Sequence, residues 1–143
     1  MPDDEVIVTC VVSLPVEEAF TMFTQRVDQW WVRAPHDDPG TVVSFVGDHL
    51  VGASVSGASV LASITGWDPP TRLDLAWSGP HAHAGDTVAI EFQSESGATR
   101  VTVRHRRPGL RSQDAAAAVV GLWWGDLLTR LARHPAAGGN PTV

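Results

Sequence analysis

The sequence predicts an α+β fold: a curved antiparallel sheet of about six or seven strands wrapped around one long C-terminal helix, with short helices after the first strand. Three observations predict it. Short β-branched runs recur through the middle of the chain, separated by Gly, Pro and Asp signals that leave only tight links. Gly66-Trp67-Asp68-Pro69-Pro70 reads as a strand that stops hard at a double proline, and Thr99-Arg100-Val101-Thr102-Val103-Arg104-His105 reads as a strand with alternating faces. The longest 3.6-residue periodicity falls near the end, over 113–134.

Residues 5–14, rich in Val and closed by Pro15, form the first strand. Pro15 followed by Glu17 and Glu18 is a helix start, because proline is preorganised for the first turn and acids complement the helix dipole there. Val16, Ala19, Phe20 and Phe23 give that helix one apolar face, and a second short turn carries Val27, Trp30 and Trp31. The segment 33–40, with Pro35, His36, Asp37, Asp38, Pro39 and Gly40, is a loop. Six strands follow over about 41–46, 49–56, 58–67, 72–78, 86–94 and 98–106, punctuated by Gly47-Asp48, Gly57, Pro69-Pro70, Gly79-Pro80 and Ser96-Gly97. Ala117, Val120, Gly121, Trp124, Leu127, Leu128 and Leu131 form the inward stripe of the last helix. One domain over 1–134 is expected, with 135–143 a disordered tail. A single helix cannot cover so wide a sheet, so twist curls the sheet around it and a cavity is expected between them.

Composition narrows the chemistry. The net charge of −6 argues against a general nucleic-acid binder, although Arg100, Arg104, Arg106, Arg107 and Arg111 are clustered. That cluster reads either as a solvated strand face or as a docking site for an anionic partner. All the cationic side chains are arginines and there is no tyrosine, which removes a Schiff-base lysine, a P-loop lysine and a tyrosine acid. Cys10 is the lone cysteine, so no internal disulfide can form, and its Val-rich strand suggests an inert buried thiol. The acidic Pro2-Asp3-Asp4-Glu5 is unlike a signal peptide, and no apolar run is long enough to span a membrane, so a cytoplasmic protein without membrane association is expected.

The order of Pro15-Val16-Glu17-Glu18-Ala19-Phe20, Phe23-Thr24, Trp30-Trp31, Gly66-Trp67-Asp68-Pro69-Pro70, Leu75-Ala76-Trp77, Thr99 to His105, and Trp124 with Leu127-Leu128 and Leu131 is informative. In these residues, which span 5 to 131, the chain resembles the START-like (SRPBCC) superfamily, and within it the AHSA-like branch of activators of the heat-shock chaperone ATPase. The resemblance implies the helix-grip fold. It leaves activity open, because that fold hosts carriers, cyclases, hydrolases and chaperone cofactors. One departure stands out: family members usually carry a Gly-Gly pair with an acidic residue before the Gly-Trp-Asp-Pro-Pro segment. Here the stretch reads Gly47-Asp48-His49-Leu50-Val51-Gly52-Ala53-Ser54, which alters that rim of the pocket.

By period-two alternation His105 shares the inward face of Val101 and Val103, either as a strand-end histidine satisfied by a carbonyl or by solvent, or as an acid–base group. It is the one candidate catalytic residue. Six tryptophans (30, 31, 67, 77, 123 and 124) either pack as core or wall a ligand cavity, with Trp123 turned about 100° from Trp124 toward the rim or the surface. The residues expected to line the cavity are Phe23, Trp31, Trp77, Val103, His105, Trp124 and Leu128. His81-Ala82-His83 would place two imidazoles on one side if extended, with Asp86 nearby, but no third ligand has a matching spacing, so no metal and no cofactor is expected. Asp37, Asp38, Asp48 and His49 sit at turn signals, either as local turn formers or as a catalytic His–Asp pair, and Ser54, Ser56, Ser59 and Ser63 include no Gly-x-Ser-x-Gly elbow.

Three functions follow. The first is binding of a small, largely apolar molecule in the cavity. The second is a cyclase- or dehydratase-like enzyme acting on a polyketide-like or aromatic substrate, with His105 moving the proton. The third, implied by the resemblance, is a chaperone-cofactor-like interaction module. An exposed strand edge would also allow a homodimer.

Overall fold

The structure, a computed structural model, describes residues 4–31, 40–111 and 113–134. The expected loop with His36, Asp37 and Asp38 and the expected tail lie outside them. The element order is strand β1 (Glu5–Val12), helix α1 (Val16–Gln25), a 3-10 turn (Val27–Gln29), strands β2 (Val42–Val46), β3 (His49–Ser54), β4 (Gly57–Asp68), β5 (Arg72–Trp77), β6 (Thr87–Glu95) and β7 (Ala98–Arg106), and helix α2 (Ala115–Arg133). All strands join one antiparallel sheet in the order β1-β7-β6-β5-β4-β3-β2. This is the helix-grip arrangement. Every expected element is present, and the differences are at the ends. β1 stops at Val12 rather than Leu14, and β3 at Ser54 rather than at 56.

The hairpins set the register. Ser96 and Gly97 both have positive φ, 53° and 85°, so β6 and β7 are joined by a two-residue turn whose twist matches that of the strands. From the closing pair Glu95↔Ala98 the ladder runs to Thr87↔Arg106 without a break. Two irregularities bend the other half of the sheet, at Leu50/Val51 against β4 and at Ile64/Gly66 against β5. At the second, a Cβ on Gly66 would come within 2.5 Å of the Asp74 carboxylate, so glycine leaves room for that side chain in its present position.

The concave face carries the core: Val43, Leu50, Ala62, Leu73, Leu75, Trp77, Val88, Ile90, Phe92, Val101 and Val103 are buried, while their strand neighbours face outward. The inward stripe of α2 is as expected, with Ala117, Val120, Trp124, Leu127, Leu128 and Leu131 buried. α2 packs on β1, and α1 covers β6 and β7. Three hydrogen bonds fix the layers. The Trp30 indole N–H donates to the Met22 carbonyl, Arg130 Nε donates to the Trp30 carbonyl, and Val43 N donates to Asp28 Oδ1. Burial pushes the Cys10 thiol up to about 12, so it is protonated and unreactive at neutral pH.

Candidate ligand-binding site

Five tryptophans line up across the interior. Trp77 closes β5, Trp123 and Trp124 are neighbours on α2, and Trp30 and Trp31 follow the 3-10 turn. The ring centroids of Trp77 lie 5.2 Å from Trp124, 5.7 Å from Trp123 and 6.3 Å from Trp31, and Trp31 meets Trp123 edge-on at 5.5 Å. Such edge-to-face and tilted contacts suit the ring quadrupoles. Trp30, Trp31, Trp77 and Trp124 are buried, whereas Trp123 is half-buried. The last helix thus turns one indole inward and sets the next at the rim, as its periodicity implies.

His105 lies beneath this group, 1 % exposed, on the inward end of β7. Both ring nitrogens are engaged. The Trp124 indole N–H donates to Nδ1 at 2.9 Å, so Nδ1 carries no proton, and Nε2–H donates to Asp86 Oδ2 at 2.8 Å. The ring is therefore the neutral Nε2–H tautomer. Burial pulls its pKa below the ordinary value, outweighing the opposite pull of Asp86. The partners are two side chains, not the backbone carbonyl or solvent that strand-end position alone suggests.

Asp86 is the hub. Its Oδ2 accepts from His105, from Arg107 Nη2 at 3.0 Å and from the His83 backbone N–H at 3.0 Å, and its Oδ1 accepts from Arg107 Nε at 2.9 Å. Burial alone would raise this carboxyl, but the bonds from Arg107, His105 and His83 hold it below the usual carboxylate range. Arg107 Nη2 also donates to the His81 carbonyl at 2.6 Å. Among the described residues no buried side-chain polar atom lacks a partner.

The segment between β5 and β6 crosses over the tryptophans. The Trp77 indole N–H donates to the Pro80 carbonyl at 3.1 Å, and a Cβ on Gly79 would come within 2.9 Å of the Trp77 ring, so glycine permits this close passage. The His81 ring meets Trp123 at 6.1 Å. The chain turns at His81, whose φ is 62°, so His81 and His83 do not lie along an extended segment as a same-side imidazole pair requires. Among the described residues no group of three or more His, Cys, Asp and Glu is placed to hold a metal.

Trp31, Trp77, Trp124 and His105 thus come together as one contact group. Phe23 sits at the other end, against Trp30 at 4.9 Å and Phe92 at 5.6 Å. Val103 and Leu128 are buried between the sheet and α2. Asp86, Arg107 and His81 were visible in the sequence only as a metal neighbour, a member of a basic cluster and half of a histidine pair. Three arginines of that basic cluster are ion-paired: Arg100 with Glu95, Arg104 with Glu5 and Glu91, and Arg107 with Asp86, while Arg106 and Arg111 are exposed. This matches the solvated strand face. Asp48 and His49 form no acid–base pair with each other among the described residues. Asp48 lends its carbonyl to Ile64, and His49 is exposed. A small depression of about 110 Å³ lies beside α1, lined by Leu14, Glu18, Thr21, Met22 and Arg26, and is too small for a typical ligand.

The family model for Activator of Hsp90 ATPase homolog 1-like proteins matches residues 13–135. The chain belongs to that family. The assignment agrees with the AHSA-like resemblance of its motifs. Solved structures share the fold. DynU16, a protein of the dynemicin biosynthetic locus, is 27% identical with a TM-score of 0.64, over 96% of this chain and 49% of its own. CalU16 from Micromonospora echinospora is 18% identical with a TM-score of 0.62, over 89% of this chain and 73% of its own. The Aha1 dimer from Colwellia psychrerythraea is 15% identical with a TM-score of 0.69, over 95% of this chain and 98% of its own. The chain therefore spans about half the length of DynU16. No curated protein sequence matches it. No helix among the described residues is long and apolar enough to cross a membrane.

Proposed function

We propose that this AHSA-like chain binds a small, largely apolar molecule between the sheet and α2, against the indoles of Trp31, Trp77 and Trp123. The observation that carries the reading is the placement of Trp123. It is a large aromatic ring left half-buried at the edge of a buried aromatic group, where a flat apolar ligand can lie against an indole that Trp31, Trp77 and Trp124 hold in place. The likeness to DynU16, a protein of a biosynthetic locus, supports a small natural product as the ligand class.

The enzyme alternative fares less well. A general base needs a free lone pair, and the only unprotonated nitrogen of His105 already accepts from Trp124. The geometry supports a positioning role for His105, holding Trp124 and Asp86. For the interaction-module alternative, the ion pairs of Arg100, Arg104 and Arg107 reduce the basic surface to the exposed Arg106 and Arg111. The outer strands β1 and β2 remain the edges at which a second copy would add.

Native mass spectrometry of the protein purified from its source tests the reading. The expected result is a bound small molecule that is lost in Trp123→Ala and retained in Trp67→Ala, whose indole is 52 % exposed against Phe20 at the other end of the core. Retention in Trp123→Ala, or loss in both variants, would overturn this placement.

A further inference from the structure

The segment over the tryptophans is built more firmly than a connecting turn requires. His81 adopts a left-handed backbone, φ 62°, which residues other than glycine rarely occupy. Such a conformation persists where its surroundings hold it. The determinants here are visible. Trp77 holds the Pro80 carbonyl, Arg107 holds the His81 carbonyl, Asp86 holds the His83 N–H, and Ala82 N donates to the Gly79 carbonyl. Two of these anchors come from the buried Asp86–Arg107 pair and a third from the aromatic group itself. The result is one exposed imidazole held edge-on to the half-buried Trp123 ring.

Most of the polar backbone of this segment is already engaged. The carbonyls of Gly79, Pro80, His81 and His83 each already accept a bond, the last from Asp86 N, and both oxygens of the Asp86 carboxylate are occupied. The side chain of His81 is a polar group left over beside an apolar wall, and it offers a ring N–H. Pockets of this kind take their orientation and specificity from one or two such groups.

We infer that His81 is the specificity-determining contact of the aromatic site, and that it selects aromatic ligands bearing a hydrogen-bond acceptor, such as a carboxylate or sulfonate, at the end nearest the β5–β6 segment. The inference rests on the ligand-binding reading above. The ligand's flat body lies against Trp123 and its neighbours, and its acceptor meets the His81 ring.

Two fluorescent probes that share an aromatic body test it: 8-anilinonaphthalene-1-sulfonate, which carries the acceptor, and N-phenyl-1-naphthylamine, which lacks it. Binding is read by energy transfer from tryptophan in wild type, His81→Ala and His81→Gly. Glycine takes a φ of 62° without strain, so His81→Gly keeps the fold while removing the ring. The expected result is a preference of the wild type for the sulfonate probe that falls by about tenfold in both variants, while affinity for the uncharged probe changes by less than about twofold. An unchanged sulfonate preference in His81→Gly would overturn the role of His81 and leave the aromatic site standing. Binding of neither probe by the wild type would overturn the site itself.

Discussion

The two ends of the core are built from the same kind of ring and held in different ways. At one end Trp67, Phe20, Phe92 and Phe23 meet edge to face at 5.1 to 5.6 Å, and the phenyl rings have no polar atoms to satisfy. At the other end Trp77, Trp123 and Trp124 pack as closely, but two of the indoles donate hydrogen bonds, a part-buried one to Pro80 and a buried one to His105. Behind them sits a carboxylate with no exposed side-chain surface, shared by His105 and Arg107. The first end is stabilised by apolar area, which degrades gradually when a ring is trimmed. The second depends on completeness, because each buried polar atom that loses its partner keeps its desolvation cost. Rigidity at the second end is what holds the β5–β6 segment and its imidazole against the aromatic group.

This contrast can be broken by mutation. Asp86→Ala should have the largest effect, a loss of about 3–5 kcal/mol in urea unfolding, because it strands the Arg107 guanidinium and leaves His105 without its acceptor. A loss no greater than that of a surface change would show that water replaces the carboxylate and that the hub is dispensable. Trp124→Phe keeps most of the ring but removes the donor to His105 Nδ1, and should cost about 1–3 kcal/mol. Phe92→Leu, which trims a ring at the apolar end without stranding a polar atom, should cost about 1 kcal/mol. If Phe92→Leu proves the costlier of the two, packing rather than hydrogen bonding distinguishes the ends.

Acid is the mildest perturbation. The imidazole of His105 is held below its ordinary 6.5, so the unfolded chain takes up that proton first, and stability should begin to fall as pH drops through about 6.5. Asp86, held below its ordinary 3.8, adds a second loss as pH falls through its folded value. Unfolding midpoints measured from neutral to mildly acidic pH should decline in the wild type and decline less in His105→Leu. Parallel profiles would mean that His105 does not supply the slope.

Much of the fold is legible in the residues themselves. Period-two alternation put Val101, Val103 and His105 on one face, and the 3.6 repeat put Trp124, Leu127, Leu128 and Leu131 inside, because those periods follow from backbone geometry alone. Helix start and strand stops at Pro15 and Pro69 have the same local origin. The burial of the Cys10 thiol also follows from its strand neighbours.

What the chain order concealed is the partner of His105. Asp86 is nineteen residues away and reads locally as a turn acid beside His83. Yet a signal was present. The tight turn at Ser96-Gly97 fixes the pair Glu95↔Ala98, and stepping outward along that ladder past Thr87↔Arg106 carries Asp86 to the position opposite Arg107, one diagonal step from His105. Register is a property of two strands, and it becomes definite only once the hairpin has closed. The meeting of Trp31, Trp77 and Trp123 has no such shortcut. These rings come from three separate elements, and only the curl of the sheet toward α2 and the crossing of the β5–β6 segment bring them together. The sequence by itself determined the elements and their inward faces, because periodicity is local. Tertiary structure alone decided which polar atoms would be buried together, because that depends on twist and register summed over the whole sheet.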